Sequence, residues 1–118
     1  MVKIMIVDDE PDIRGPIEEV LKRNGYKVVT AVSADDCLKK VRSGEKPDLI
    51  LMDIVMPGTP VGKIIPKLGK IKIAYLSVVG ISEVEKKDLV KSNNIVDVIQ
   101  KPFELAELVK RVKKLVKL

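Results

Sequence analysis

The sequence predicts an α/β fold, a five-stranded parallel sheet with helices on both faces, and three observations carry that prediction. Five short, β-branched apolar runs are spaced along the 118 residues, and a helical pattern follows each of them. The first and third runs are almost unbroken apolar, as strands covered on both faces must be. Four of the five runs stop at a polar residue, so one edge of the sheet collects the side chains able to do chemistry.

The first strand is "VKIMIV" (2–7), and it ends in the acidic "DDE" (8–10). A helix over 12–24 follows, because Ile13, Ile17, Val20 and Leu21 recur on one face and "NG" at 24–25 supplies its stop. "YKVVTAV" (26–32) is the second strand. Ser33 opens the next helix, with Asp36 at the capping-box position and Ala34, Cys37, Leu38 and Val41 facing inward. The third strand, "DLILM" (48–52), is halted by Asp53. Residues 61–68 keep a helical period through Val61, Ile64, Ile65 and Leu68, but Pro66 must shorten or kink that helix. Ser77 closes the fourth strand, "KIAYL" (72–76), and Ser82 with Glu85 makes a capping box for a fourth helix. Asn93 or Asn94 is expected to take the left-handed conformation in the turn before "IVDVI" (95–99), the fifth strand. Lys101-Pro102 follows that strand. The fifth helix has the clearest stripe: Leu105, Leu108, Val109, Val112, Leu115 and Val116. Lys110, Arg111, Lys113, Lys114 and Lys117 crowd its end, where they complement the helix dipole.

Strict alternation of strand and helix implies right-handed crossovers. Five strands so connected suit the flavodoxin-like, doubly wound order 2-1-3-4-5, in which ligands bind at the carboxyl ends of strands one and three. The whole of 1–118 reads as one domain with no output domain attached.

Composition narrows the function classes. Lys and Arg outnumber Asp and Glu by 22 to 17, a balance that can signal a nucleic-acid or anionic-membrane partner. Here the basic residues are scattered, lysine dominates arginine, and two Tyr and one Phe offer little stacking, so direct nucleic-acid binding is not expected. A single cysteine, Cys37, excludes an internal disulfide and a Cys-based zinc site, and its place on an apolar face reads as a packed thiol. The absence of histidine removes the commonest general base and metal ligand. No stretch reaches membrane-spanning length and the opening "MVKIMIV" is too short for a signal segment, so a cytoplasmic protein with no membrane contact is expected.

Asp53 stands at the end of a run expected to be buried, and burying a carboxylate is costly unless something pairs with it. Asp8, Asp9 and Asp53 should converge between strands one and three, where they repel and raise one another's pKa values unless a cation intervenes. An all-oxygen set suits a hard divalent ion, Mg²⁺ or Mn²⁺. Taken singly, each residue has an ordinary explanation: Asp8 and Asp9 as acids before a helix, Asp53 as a loop aspartate, Ser77 as a cap, Lys101 as a surface lysine. Their conjunction at successive strand ends does not.

"IMIVDDEPDIR", "LILMDIVMPG", "AYLS" and "QKPF" resemble, in order and across essentially the whole chain, the signature segments of the response regulator receiver domain. The resemblance implies that Asp53 is a phosphoacceptor, taking a phosphoryl group from the phosphohistidine of a sensor histidine kinase in a two-component phosphorelay. It implies Mg²⁺ held directly by Asp9, Asp53 and the Val55 backbone carbonyl, and by Asp8 through water. Lys101, in a cis Lys-Pro pair, would meet the phosphoryl oxygens, and the Ser77 hydroxyl would bond one of them. A downstream protein would dock on the face formed by the fourth helix, fifth strand and fifth helix. Such a domain catalyses its own phosphorylation and dephosphorylation but is not a multiple-turnover enzyme.

Several positions depart from the family pattern. Val78 follows the strand-four hydroxyl residue where Ala or Gly is usual, and its bulk narrows access. Val55 and Val79 occupy positions at which the family tunes dephosphorylation, and neither can position water, so a long-lived phosphorylated form is expected. Val98 stands where a switch aromatic is common. Val78 and Val98 support an alternative, a pseudo-receiver that only binds protein, while the complete acidic and lysine set opposes it. An aspartyl phosphatase would need Asp-x-Asp after the first strand, and "DDE" lacks that spacing.

Overall fold

The computed structural model describes residues 1–78, 82 and 93–117. In order they form β1 (Lys3–Val7), α1 (Pro11–Arg23), β2 (Lys27–Ala31), α2 (Ala34–Arg42), β3 (Leu49–Asp53), α3 (Val61–Ile64), β4 (Lys72–Ser77), β5 (Ile95–Gln100) and a C-terminal helix (Leu105–Leu115). All strands are parallel, in the order β2-β1-β3-β4-β5 that their alternation with helices predicts. The helix expected between β4 and β5, with its capping Glu85, and Val79 lie outside the described residues. Among the described residues no helix is long and apolar enough to cross a membrane.

β3 shows why the sheet forms. Every one of its residues is buried, and successive side chains enter opposite cores, the period-two rule of a pleated strand. Leu49 and Leu51 join Ile4, Ile6 and Leu76 beneath α1 and the C-terminal helix, through Ile17, Leu21, Leu108 and Val112. Ile50 and Met52 join Met5, Val7 and Tyr75 on the other face, against α2 and α3. Val98 packs on that second core, opposite Tyr75 in the β4–β5 register. Cys37 lies there too, and burial pushes its thiol up to about 12, which makes it packing material rather than a nucleophile.

The ends of the helices follow the sequence signals with instructive differences. Gly25, at φ +88°, stops α1. Ser33 Oγ accepts the Asp36 N–H at 3.0 Å, while the Asp36 carboxylate accepts from Val32 N–H at 3.0 Å, one residue earlier than a standard capping box. That bond, the largest influence, holds the Asp36 carboxyl below its ordinary range. Pro66 cuts α3 to a single turn, and Ile65–Leu68 continues as 3₁₀ helix, yet Val61, Ile64, Ile65 and Leu68 all remain buried. Before β5 the turn is secured by Asn94, whose side chain donates to the Ile71 carbonyl at 2.9 Å and whose carbonyl accepts from Ile73 N–H at 2.8 Å.

One expectation needs correction. Leu105 does not join the inward stripe of the C-terminal helix. It opens the helix, one turn before the buried Leu108 and Val109, and at that frayed end it is 37% exposed. Arg111 binds this helix to the edge strand: its guanidinium grips Asp97, with Nε at 2.9 Å, and reaches the Val98 carbonyl at 3.2 Å.

Leu51→Ala should lower the unfolding free energy by about 3 kcal/mol, because the residue is fully buried between helices and neighbouring strands. Urea denaturation followed by circular dichroism checks this; a loss below about 1 kcal/mol would mean that β3 is not packed against α1 and the C-terminal helix.

Candidate functional site

Because all strands run the same way, their carboxyl ends gather at one edge. Val7 of β1 and Met52 of β3 are register partners, so the next residues, Asp8 and Asp53, lie side by side. Both are buried, Asp8 completely and Asp53 to 4% exposure. Lys101, just beyond β5, places its Nζ 3.0 Å from Asp8 Oδ2 and 3.4 Å from Asp53 Oδ2. The peptide bond that follows it, Lys101–Pro102, is cis.

The two aspartates use their oxygens alike. Asp8 Oδ1 accepts from Glu10 N–H at 3.0 Å, and Asp53 Oδ1 accepts from Val55 N–H at 3.0 Å. Each therefore closes a turn over its own backbone two residues on, an Asx-turn, while its other oxygen faces Lys101. Arg14, one turn into α1, donates to the Asp8 carbonyl at 2.7 Å and fixes the start of this loop.

Carboxylate outnumbers ammonium here. Asp8, Asp9, Glu10 and Asp53 each offer an oxygen within 4.8 Å of the others, with one lysine among them. Burial, more than mutual repulsion, drives the Asp53 carboxyl above its ordinary range; the Val55 N–H and Lys101 oppose the rise and the charge of Asp8 adds to it. Lys101 responds the other way. Burial pulls it down, but its bond to Asp8 and the charges of Asp53 and Asp8 outweigh that, so its ammonium is held above the ordinary lysine range. An all-oxygen set this compact, with negative charge in excess, fits a hard divalent cation.

Ser77, the last residue of β4, is fully buried. It stands one residue past Leu76, the register partner of Asp53, and its carbonyl accepts from Lys101 N–H at 2.6 Å. Two apolar side chains stand on the rim beside the exposed Glu10: Val55 and Val78 are 55% and 61% exposed. Beside it a cavity of about 570 Å³ runs between α1 and the C-terminal helix, walled by Ile13, Pro16, Phe103 and Leu105 and reaching Val78 and Lys101.

The structure thus brings together Asp8, Asp9, Asp53 and Lys101, with Ser77 on the adjoining strand end and Val55 following Asp53. Reading by motif passed over Glu10, whose adjacency to Asp8 and Asp9 in "DDE" was the available signal, and Arg14, which gave none before the fold brought it back onto Asp8.

Comparisons with known proteins point the same way. A sequence model described as the response regulator receiver domain matches residues 4–113. The alkaline phosphatase synthesis transcriptional regulatory protein PhoP of Bacillus subtilis is 34% identical over 113 residues, 94% of this chain and 47% of that protein. The transcriptional regulatory protein PrrA of Mycobacterium tuberculosis is 31% identical, over 98% of this chain and 50% of its own. The chain therefore spans about half the length of these relatives. Among solved structures, the response regulator TrrA of Thermotoga maritima, in complex with Mg²⁺ and BeF, superposes with a TM-score of 0.81 at 34% identity, covering 98% of this chain and 99% of that one. A CheY-like receiver domain protein of Methanospirillum hungatei gives a TM-score of 0.86 at 25% identity, over 98% of this chain and 94% of that one. A fold of this order, a compact acidic cluster bridged by a lysine and a family match across nearly the whole length lead to one conclusion: the chain belongs to the response regulator receiver domain family.

Proposed function

We propose that the chain is a phosphorylation switch in which Asp53 accepts a phosphoryl group from the phosphohistidine of a sensor histidine kinase. The observation that carries this reading is the bridge of Lys101 to Asp8 and Asp53, inside a carboxylate cluster at the ends of β1 and β3. An oxygen of Asp53 attacks phosphorus as the phosphorus–nitrogen bond of the donor breaks. Such a transfer asks for alignment and for neutralisation of the oxygens around phosphorus. Lys101, 3.4 Å from the acceptor carboxylate, supplies one positive charge at the right place. Asp9, Asp53 and the Val55 carbonyl, with Asp8 through water, would hold Mg²⁺ (or Mn²⁺), which when bound supplies the remaining positive charge. The Mg²⁺–BeF complex of the relative TrrA supports that assignment. The Ser77 hydroxyl is assigned to a phosphoryl oxygen.

The reaction is a single self-catalysed event rather than enzymatic turnover. Its output is a protein that docks on a face including β5 and the C-terminal helix; the remaining helix of the expected face lies outside the described residues. Val55 and Val78 stand exposed at the rim and their side chains offer a hydrolytic water no hydrogen bond, which supports a slow loss of the phosphoryl group.

Intact mass after incubation with Mg²⁺ and acetyl phosphate should show one phosphoryl adduct that disappears without Mg²⁺ and in Asp53→Asn. An adduct surviving in Asp53→Asn would overturn the assignment. No adduct in the wild-type chain, with an adduct in Val78→Ala, would identify Val78 as a gate that makes the native domain a pure binding module. The adduct, once formed, should outlast minutes at moderate temperature; a shorter half-life would show that the apolar rim does not restrain hydrolysis.

Protonation adds a further expectation. The folded-state pKa of Asp53 is raised, so the ionised form costs stability at neutral pH, and that cost disappears as pH falls through the carboxylate range and Asp53 protonates. In the absence of Mg²⁺, Asp53→Asn should therefore melt higher than wild type near pH 7, with the gap closing toward acid. A gap that is absent at pH 7, or that widens on acidification, would contradict it.

A further inference from the structure

Residues 54–60 between β3 and α3 carry the Val55 carbonyl that the proposed function assigns to the metal, and one end of this loop is held from α2. Asp35 Oδ2 accepts the Thr59 N–H at 3.2 Å, across 24 residues of sequence. The chain turns at Gly58 beneath the same oxygen: φ there is +97°, and a Cβ on Gly58 would lie 3.3 Å from Asp35 Oδ2. A side chain at 58 would meet both a left-handed backbone and that carboxylate.

Asp35 is itself well anchored. It sits in the first turn of α2, which Ser33 and Asp36 cap together, while Lys40 lies 3.3 Å from Asp36. Its neighbours on the helix, Ala34 and Cys37, are buried in the same core as Val61 and Ile64, just past the loop. At the near end Asp53 Oδ1 holds Val55 N–H. Among the described residues, Asp53 and Asp35 are the two side chains that bond the backbone from Val55 to Thr59.

We infer that Asp35 is a positioning residue for the metal: by holding Thr59 it sets the path of the loop and with it the Val55 carbonyl. This rests on the metal assignment made above. Asp35 does not touch the ion, and its carboxylate acts as a hydrogen-bond acceptor rather than as a charge.

The test pairs Asp35→Ala with Asp35→Asn on the full chain, measuring Mg²⁺ affinity by calorimetry and Thr59 amide exchange by NMR without metal. Asp35→Ala should speed Thr59 exchange and weaken Mg²⁺ binding by up to about tenfold, what one hydrogen bond lost from the bound state is worth. Asp35→Asn keeps an acceptor oxygen and should restore both. Gly58→Ala, which presses on the same contact from the loop side, should weaken Mg²⁺ in the same direction and keeps the test open should Asp35→Ala fail to fold. An unchanged Mg²⁺ constant in Asp35→Ala, or an Asp35→Asn variant as weak as Asp35→Ala, overturns the inference and leaves the proposed function standing. A wild-type chain that binds no Mg²⁺ removes the metal assignment, and the inference with it.

Discussion

Two carboxylates buried this deeply beside each other require a cation between them, and Lys101 is that cation. Removing Lys101 would leave both carboxylates with neither water nor counter-charge, a cost of about 3–5 kcal/mol in comparable cases. The bridging lysine arrives from β5, at the far edge of the sheet, while the aspartates close β1 and β3 near its centre. Its position therefore depends on two registers in series: Asp53 against Leu76, and Ser77 against Gln100. The Ser77 carbonyl then takes the Lys101 N–H at 2.6 Å and delivers the side chain to the site. A slip of one residue in either ladder would turn every following side chain to the opposite face. The apolar cores that fix those registers are in this sense part of the site.

Stability and chemistry pull against each other at Asp53. Burial favours its neutral form, yet the attack on phosphorus proposed above needs the ionised carboxylate. Val55 N–H and Lys101 recover part of that cost, and the compact set of neighbouring acids makes a divalent cation the natural source of the rest. On the function proposed above, phosphorylation replaces one negative charge by nearly two and adds acceptor oxygens. Lys101 would then be drawn from the Asp8–Asp53 pair toward the phosphoryl group, and the loop over Val55 would feel the change through the Asp53–Val55 turn.

What was legible in the sequence was what local pattern controls. The alternation of strands with helices fixed the topology, and shared strand direction put Asp8, Asp53, Ser77 and Lys101 at one edge without knowledge of any contact. The interruption of "LILM" by Asp53 was itself a signal, because an unexplained buried carboxylate must have a partner. Contacts that depend on tertiary closure were not legible. Leu105 fits the helical period yet lies beyond the core it was expected to join. Asn94 secures its turn with a side-chain bond to Ile71, a residue whose nearness no period reveals. Asp35 sits in an ordinary acidic first turn, and its reach to Thr59 appears only once Gly58 has bent the loop under it.

The net charge of +5 does not describe the site, where carboxylates outnumber the one lysine. Four acids meet at the carboxyl edge of the sheet, whereas a second groove, of about 700 Å³, at the other end of β5 and the last helix carries Lys72, Lys110, Arg111, Lys114 and Lys117 beside Asp97 and Glu107. A helix C-terminus welcomes such lysines, and Lys72 reaches the Leu115 carbonyl there at 3.3 Å. The molecule measures 34 × 31 × 29 Å, several times the screening length of about 8 Å at physiological salt. An approaching phosphodonor would thus feel little of the distant lysines and much of the local acids, which repel it. Lys101 is too nearly consumed by Asp8 and Asp53 to reverse that field alone. A chain that looks cationic by composition therefore presents a locally anionic site, and on the function proposed above a divalent cation would neutralise it.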